Sequence, residues 1–177
     1  MAGRSEGPAT ARARALGLAR AVIRYWALLG GLTLVALVVM TAASAASNLF
    51  FDRPFAGDFE IVKHGVAIAV FAFLPYCQLT YSNITVDIFT ERMSDRAKSA
   101  MVLFSSLLAA GLAVLLMRQM WLGMLDYLRY PEYMVSVPIA LWTAFPPALL
   151  SLALLLLASL ITAAEGLSGL RPAAPAA

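Results

Sequence analysis

The sequence predicts an all-α membrane protein with four transmembrane helices. Of its 177 residues, 62% are hydrophobic and 13% charged, and the mean hydropathy is +0.81, whereas soluble domains usually carry ~25% charged residues. The uncharged runs are also close to or above the ~20 residues that a helix needs to cross ~30 Å of hydrocarbon. The four predicted spans cover residues 25–51, 65–86, 99–117 and 138–164.

These spans form one membrane domain, residues 20–164, between two predicted tails. Residues 1–19 are rich in Arg, Ala and Gly and predict a flexible basic arm, and residues 165–177 predict a disordered C-terminal tail. The arm, the first apolar run and the small residues 41–47 together imitate a secretory signal peptide. Because the run exceeds the usual 7 to 15 residues of such peptides, we expect it to be retained as the first span.

The second span is predicted to be kinked and to turn polar towards its end. Pro75 lies near its middle and removes a backbone donor. Amides, hydroxyls and an acid then follow at helical spacing, including Gln78, Ser82, Asn83 and Asp87. Such a stripe indicates either hydrogen bonds to a neighbouring helix or subunit, or a helix that is approaching water, and the sequence leaves both interpretations open.

The segment between the third and fourth spans departs from the pattern of a simple loop between two regular helices. Apolar residues continue beyond Met117 with Trp121 and Tyr127 among them, which predicts a helical extension in the membrane interface. Pro138, Pro146 and Pro147 interrupt the last run. We therefore expect a kinked fourth helix, with a short interfacial entry and a span from about Pro146.

Charge gives the orientation and excludes one class of partner. Nine of the 13 Lys and Arg residues fall before the first span, in the segment between spans two and three, or in the tail. Because positive residues resist translocation, both termini are predicted to be cytoplasmic. The cations sit at the ends of apolar runs and form no basic face, so nucleic-acid binding is not expected.

Few residues of this chain could support chemistry. His64 and Cys77 are the single histidine and the single cysteine, so one chain cannot build a bis-histidine haem, zinc or iron–sulfur site. We expect no cofactor and no enzymatic activity. The middle of each span also lacks the charged residue on which ion or proton carriers depend. The first external loop, Asp52–Lys63, holds Asp58 and Glu60, which indicate either simple hydration or a docking surface.

The order of motifs resembles a known family. The segments GDFE (57–60), NITVDIF (83–89) and YMVSVPIALWTAFPP (133–147) resemble those of the small, DctQ-like permease subunit of tripartite ATP-independent periplasmic (TRAP) transporters, over roughly residues 20–164. The resemblance implies a scaffold in the bacterial inner membrane beside a large permease subunit, which holds the sodium and substrate sites. A periplasmic binding protein would deliver the substrate, an organic acid such as a carboxylate.

The resemblance also implies interface or structural roles for Glu60 and Asp87. Together with the residues singled out above, the candidate partner-interface residues are Asp58, Glu60, Gln78, Ser82, Asn83 and Asp87. The alternative is a self-assembling four-span channel or exporter lined by the polar stripe of the second span. An anchor subunit of a redox enzyme is disfavoured by the single histidine.

Overall fold

The computed structural model describes residues 8–53, 55–80 and 95–168. Helix α1 spans Pro8–Phe51, α2 Asp58–Leu79, α3 Asp95–Arg129 and α4 Phe145–Ser168, with a 3₁₀ turn at Leu141–Ala144 before α4. All four helices are long and apolar enough to cross a membrane. The described residues form no strand, only an isolated bridge between Tyr133 and Ala140. The predicted all-α fold with four spans is therefore confirmed.

The helices are arranged in the order α1, α2, α4, α3. Helix α2 packs against both α1 and α4, α3 packs against α4, and α1 touches α4 only slightly. The two short connections within the described chain turn α1 back into α2 and α3 back into α4. The bundle therefore has one end that carries both connections, which we call the loop end, and an opposite end at which Arg20 of α1 pairs with Glu165 of α4.

Helix α1 buries one narrow row of residues at intervals of three, four and seven: Ile23, Ala27, Gly30, Leu37 and Ser44. This spacing is that of a helix-packing seam. A Cβ atom on Gly30 would lie 2.8 Å from Cβ of Ala72, so glycine lets α1 and α2 approach closely. Most of the remaining surface of α1, such as Leu28 and Val38, is apolar and exposed, as expected for a helix facing lipid.

Helices α1, α2 and α4 extend beyond the bounds expected from the sequence, and α4 ends at Ser168, inside the predicted tail 165–177. Helix α1 begins at Pro8, so residues 8–19 of the predicted flexible arm are helical; Ala and Arg are strong helix formers and Pro suits a first turn. Helix α2 begins at Asp58, so Asp58 and Glu60 belong to its first turn and not to a loop reaching Lys63. Acids in this position are stabilised by the helix dipole. Helix α2 continues through Pro75 to Leu79, and the rest of the second predicted span, to Val86, lies outside the described residues.

The helix bounds between α3 and α4 agree with the predicted extension and with the predicted start of the last span. Helix α3 continues past Met117 to Arg129. The 3₁₀ turn precedes α4, whose first turn contains Pro146 and Pro147, where the missing backbone donors would have no partner within the helix. Helix α4 then supplies much of the core, with Leu152, Ala158 and Ile161 almost completely buried.

Candidate functional site

A buried serine of α1, Ser44, makes the first of three sets of polar contacts at the loop end. Ser44 is 2% exposed, and its hydroxyl donates to Oδ2 of Asp58 at 2.6 Å and accepts from the backbone N–H of Phe55 at 3.2 Å. One side chain thus holds both the connection between α1 and α2 and the first residue of α2. Gly57 sits beside this contact with φ of 76°, a left-handed conformation that favours glycine.

Glu60 joins this end of α2 to the hairpin between α3 and α4, residues 130–141. The hairpin is closed by the hydrogen bonds Met134 N–H to Ile139 O and Leu141 N–H to Glu132 O, both 3.0 Å long. At its tip, the two carboxylate oxygens of Glu60 accept the N–H groups of Val135 at 3.1 Å and Ser136 at 3.0 Å. Hydrogen bonds to a charged acceptor are stronger than those between neutral groups, so Glu60 fixes the position of the hairpin.

His64 makes a third link, one turn further along α2. Its Nε2 lies 3.1 Å from Oγ1 of Thr143, in the 3₁₀ turn, and the Thr143 hydroxyl donates to the carbonyl of Ala140 at 2.7 Å. A hydroxyl has one proton, so Thr143 accepts from His64, which must carry its proton on Nε2. Ser44, Glu60 and His64 therefore connect all four helices through their loops; we call these three contacts the clasp.

A second polar group lies deep among the helices. Gln78 of α2 is 5% exposed, and its Nε2 donates to Oγ1 of Thr162 in α4 at 3.2 Å. Ser106 of α3 lies 2.8 Å from the same oxygen, and Thr162 donates to the carbonyl of Ser159 at 3.1 Å. Thr162 thus links three helices. No buried side-chain polar atom in the described part of the chain lacks a partner.

A further polar contact holds α1 to α4. The indole N–H of Trp26 donates to Oγ of Ser151 at 2.9 Å, and Ser151 donates to the carbonyl of Pro147 at 2.8 Å. This contact matters because α1 otherwise packs mainly against α2. The polar groups of the apolar interior are thus used to hold the helices of one chain together.

The structure separates the predicted site residues. Asp58 and Glu60 lie together at the loop end, whereas Gln78 lies 20 residues further along α2, roughly 30 Å away for a straight helix. Ser82, Asn83 and Asp87 lie outside the described residues. The sequence analysis did not identify the hydroxyl partners Ser44, Thr143 and Thr162. In the sequence each of them is only a hydroxyl residue within an apolar run. Ser and Thr often occur in such runs without bonding to another helix or loop.

The fold and the interior contacts indicate the class of protein to which this chain belongs. The described residues include no group of three or more His, Cys, Asp and Glu that could hold a metal ion. Four spans and an interior of mutually bonded polar groups define a multi-pass membrane protein.

A family model identifies the chain further. The model of the DctQ component of tripartite ATP-independent periplasmic transporters matches residues 37–169, and the chain belongs to this family. The resemblance seen in the sequence is thereby confirmed, and the family is one of transporter components, not of enzymes. Comparison with curated proteins gave no match, and comparison with solved structures gave none either.

Proposed function

We propose that this chain is a scaffold subunit that supports a large permease subunit in sodium-driven uptake of an organic acid. Family membership gives the coarse function, a small component of a TRAP transporter. In this proposal the complex lies in the bacterial inner membrane, and both termini of the chain are cytoplasmic. A periplasmic binding protein delivers the carboxylate substrate at the loop end.

The observation that carries the scaffold role is the chemistry of the interior. No charged residue occurs in residues 25–51, 65–79, 99–117 or 133–164, and the buried polar groups among them are satisfied within the chain. A carrier needs groups that exchange partners with an ion or substrate during transport. Gln78, the deepest member of the predicted stripe, is already bonded to Thr162, which favours a scaffold over a channel lined by that stripe.

The outer surface of the bundle is suited to contact both a partner subunit and lipid. Helices α1 and α3 carry large exposed apolar side chains along most of their length, among them Leu32, Val38, Phe104 and Leu108. In the proposal the large permease covers part of this surface. Ser82, Asn83 and Asp87 are proposed to contact the same partner, and the ion and substrate sites belong to that subunit.

Asp58 and Glu60 are proposed to act on docking indirectly. Their carboxylates bind Ser44 and the hairpin backbone, so they shape the surface that a binding protein would meet. The hairpin tip carried by Glu60 presents Val135, which is 94% exposed. Val135→Asp should therefore reduce binding-protein-dependent uptake several-fold, whereas the nearly isosteric Val135→Thr should leave it unchanged. Equal uptake by both variants in an intact complex would argue against docking at this tip.

Reconstitution tests the scaffold role directly. The full chain, the large subunit and both together are placed in liposomes with an inward sodium gradient, and uptake of labelled substrate is measured with the binding protein present. We expect uptake only when both subunits are present, and purification of the chain should bring down a much larger multi-span protein. Uptake by the chain alone, or assembly only with copies of itself, would support the channel alternative instead.

A further inference from the structure

A pocket of about 330 Å³ opens beside the clasp. Glu60, Lys63, His64 and Ala67 of α2 form one side, and the hairpin, chiefly Tyr133 and Met134, forms the other. Glu60, Lys63 and His64 are the last ionisable residues of α2 before the uncharged run that begins at Gly65. The pocket therefore lies at the level where lipid headgroups meet the hydrocarbon.

A second cavity, of about 90 Å³, lies next to this pocket, between α2, α3 and α4. It shares Ala67 with the first pocket, and all of its other lining residues are apolar, with Phe71, Met120 and Phe145 from three different helices. A cavity with such walls stays dry and accepts apolar groups. Ala67, which lines both, is itself exposed, so the polar pocket and the apolar cavity are neighbours near the outside of the bundle.

The charges at the mouth are balanced. Glu60 is acidic and its carboxylate accepts two backbone N–H groups, whereas Lys63 is basic and has no hydrogen-bond or ion-pair partner among the described residues. The two side chains are three positions apart on one helix face. A ligand with a single negative charge would meet both an attractive and a repulsive group here, whereas a zwitterion can satisfy both.

We propose that this paired pocket binds one phospholipid with a phosphoethanolamine headgroup. The phosphate contacts Lys63, the ammonium faces Glu60, and part of one acyl chain occupies the apolar cavity past Ala67. A bound lipid would fill the space between α2 and the hairpin and stabilise the clasp. The proposal does not depend on the transport function of the complex.

Native mass spectrometry of the full chain, released from nanodiscs, tests the proposal. With equal amounts of phosphatidylethanolamine and phosphatidylglycerol, we expect one retained phosphatidylethanolamine per chain and at least a 5-fold preference for it. Glycerophosphoethanolamine, which has the headgroup without acyl chains, should bind far more weakly. Because both lipids carry the phosphate, Lys63→Gln should reduce the retention of both, and Lys63→Arg should restore it.

A pair of matched variants tests whether an acyl chain occupies the apolar cavity. Ala67→Phe fills the junction and should reduce retention about 10-fold, whereas Val70→Phe, on the same helix at a 53% exposed position that lines neither cavity, should not. Phosphatidylethanolamine with a photoreactive acyl chain should label residues 67–71 and 141–148. Equal retention of both lipids, full retention by Ala67→Phe, labelling spread over α1 and over α3 away from Met120, or a segment of the large subunit occupying the pocket would overturn the proposal.

Discussion

The two ends of the bundle are held together in different ways. At the loop end, the Ser44, Glu60 and His64 contacts bind side chains to loop backbone and to a loop hydroxyl. At the opposite end, the described residues show the exposed ion pair of Arg20 and Glu165 and close packing of Gly166 against the backbone of α3. The loop end is therefore a preformed surface held by contacts to its loops, whereas the contacts described at the opposite end join one helix directly to another.

The largest expected effect follows from Gly57→Ala. Alanine at φ of 76° costs about 1 to 2 kcal/mol. Its Cβ would also lie 2.3 Å from Cγ2 of Val137, and relieving such overpacking costs about 1 to 3 kcal/mol. We expect a loss of roughly 2 to 5 kcal/mol in the free energy of unfolding, measured by steric trapping in detergent.

Gly111→Ala is the matched control for this substitution. Gly111 is helical, and a Cβ atom there meets nothing within 4 Å, so alanine should be neutral or stabilise by up to about 1 kcal/mol. If both glycine variants behave alike, the loop end does not depend on the close contact between Gly57 and the hairpin.

Glu60→Gln tests the link between α2 and the hairpin. The amide group can accept only one of the two N–H groups, so one hydrogen bond to a charged acceptor is lost, at about 1 to 2 kcal/mol. Amide exchange at Val135 and Ser136 should become several-fold faster. Glu132→Gln, in an exposed position of the same hairpin, should leave these rates unchanged; if it accelerates them equally, overall charge and not the Glu60 contact fixes the hairpin.

The sequence predicted the helices well because length and hydropathy decide them. It could not predict where Asp58 belongs, since acids are equally suited to a hydrated loop and to the first turn of a helix. For Gln78 the sequence left both a hydrogen-bond partner and simple hydration open, because Thr162 is 84 positions away and only the packing of α2 on α4 makes it that partner. Glu60 binds backbone groups, which leave no pattern in a sequence.

Thr162→Val tests the buried polar group between the two ends. Valine keeps the shape but leaves Gln78 and Ser106 without their shared hydroxyl. Interhelical hydrogen bonds in membranes average about 0.6 kcal/mol, so a loss of roughly 1 kcal/mol in the free energy of unfolding is expected. Thr33→Val is the control, because Thr33 bonds to the Leu29 carbonyl of its own helix. A loss no greater than that of the control would mean that the hydrogen bonds of Thr162 to Gln78 and Ser106 do not stabilise the fold.

The smallest effect is expected at the opposite end, from Arg20→Gln. The Arg20 side chain is 50% exposed, and exposed ion pairs contribute about 0.2 to 1 kcal/mol, less at high salt. A double-mutant cycle with Glu165→Gln should give a coupling energy below about 0.5 kcal/mol at physiological ionic strength. A value near that of the Glu60 contact, unchanged by salt, would mean that both ends are fixed by polar contacts. A small, salt-sensitive value would mean that this ion pair does not fix the helix ends near Arg20, in contrast to the Glu60 contact, which fixes the hairpin at the loop end.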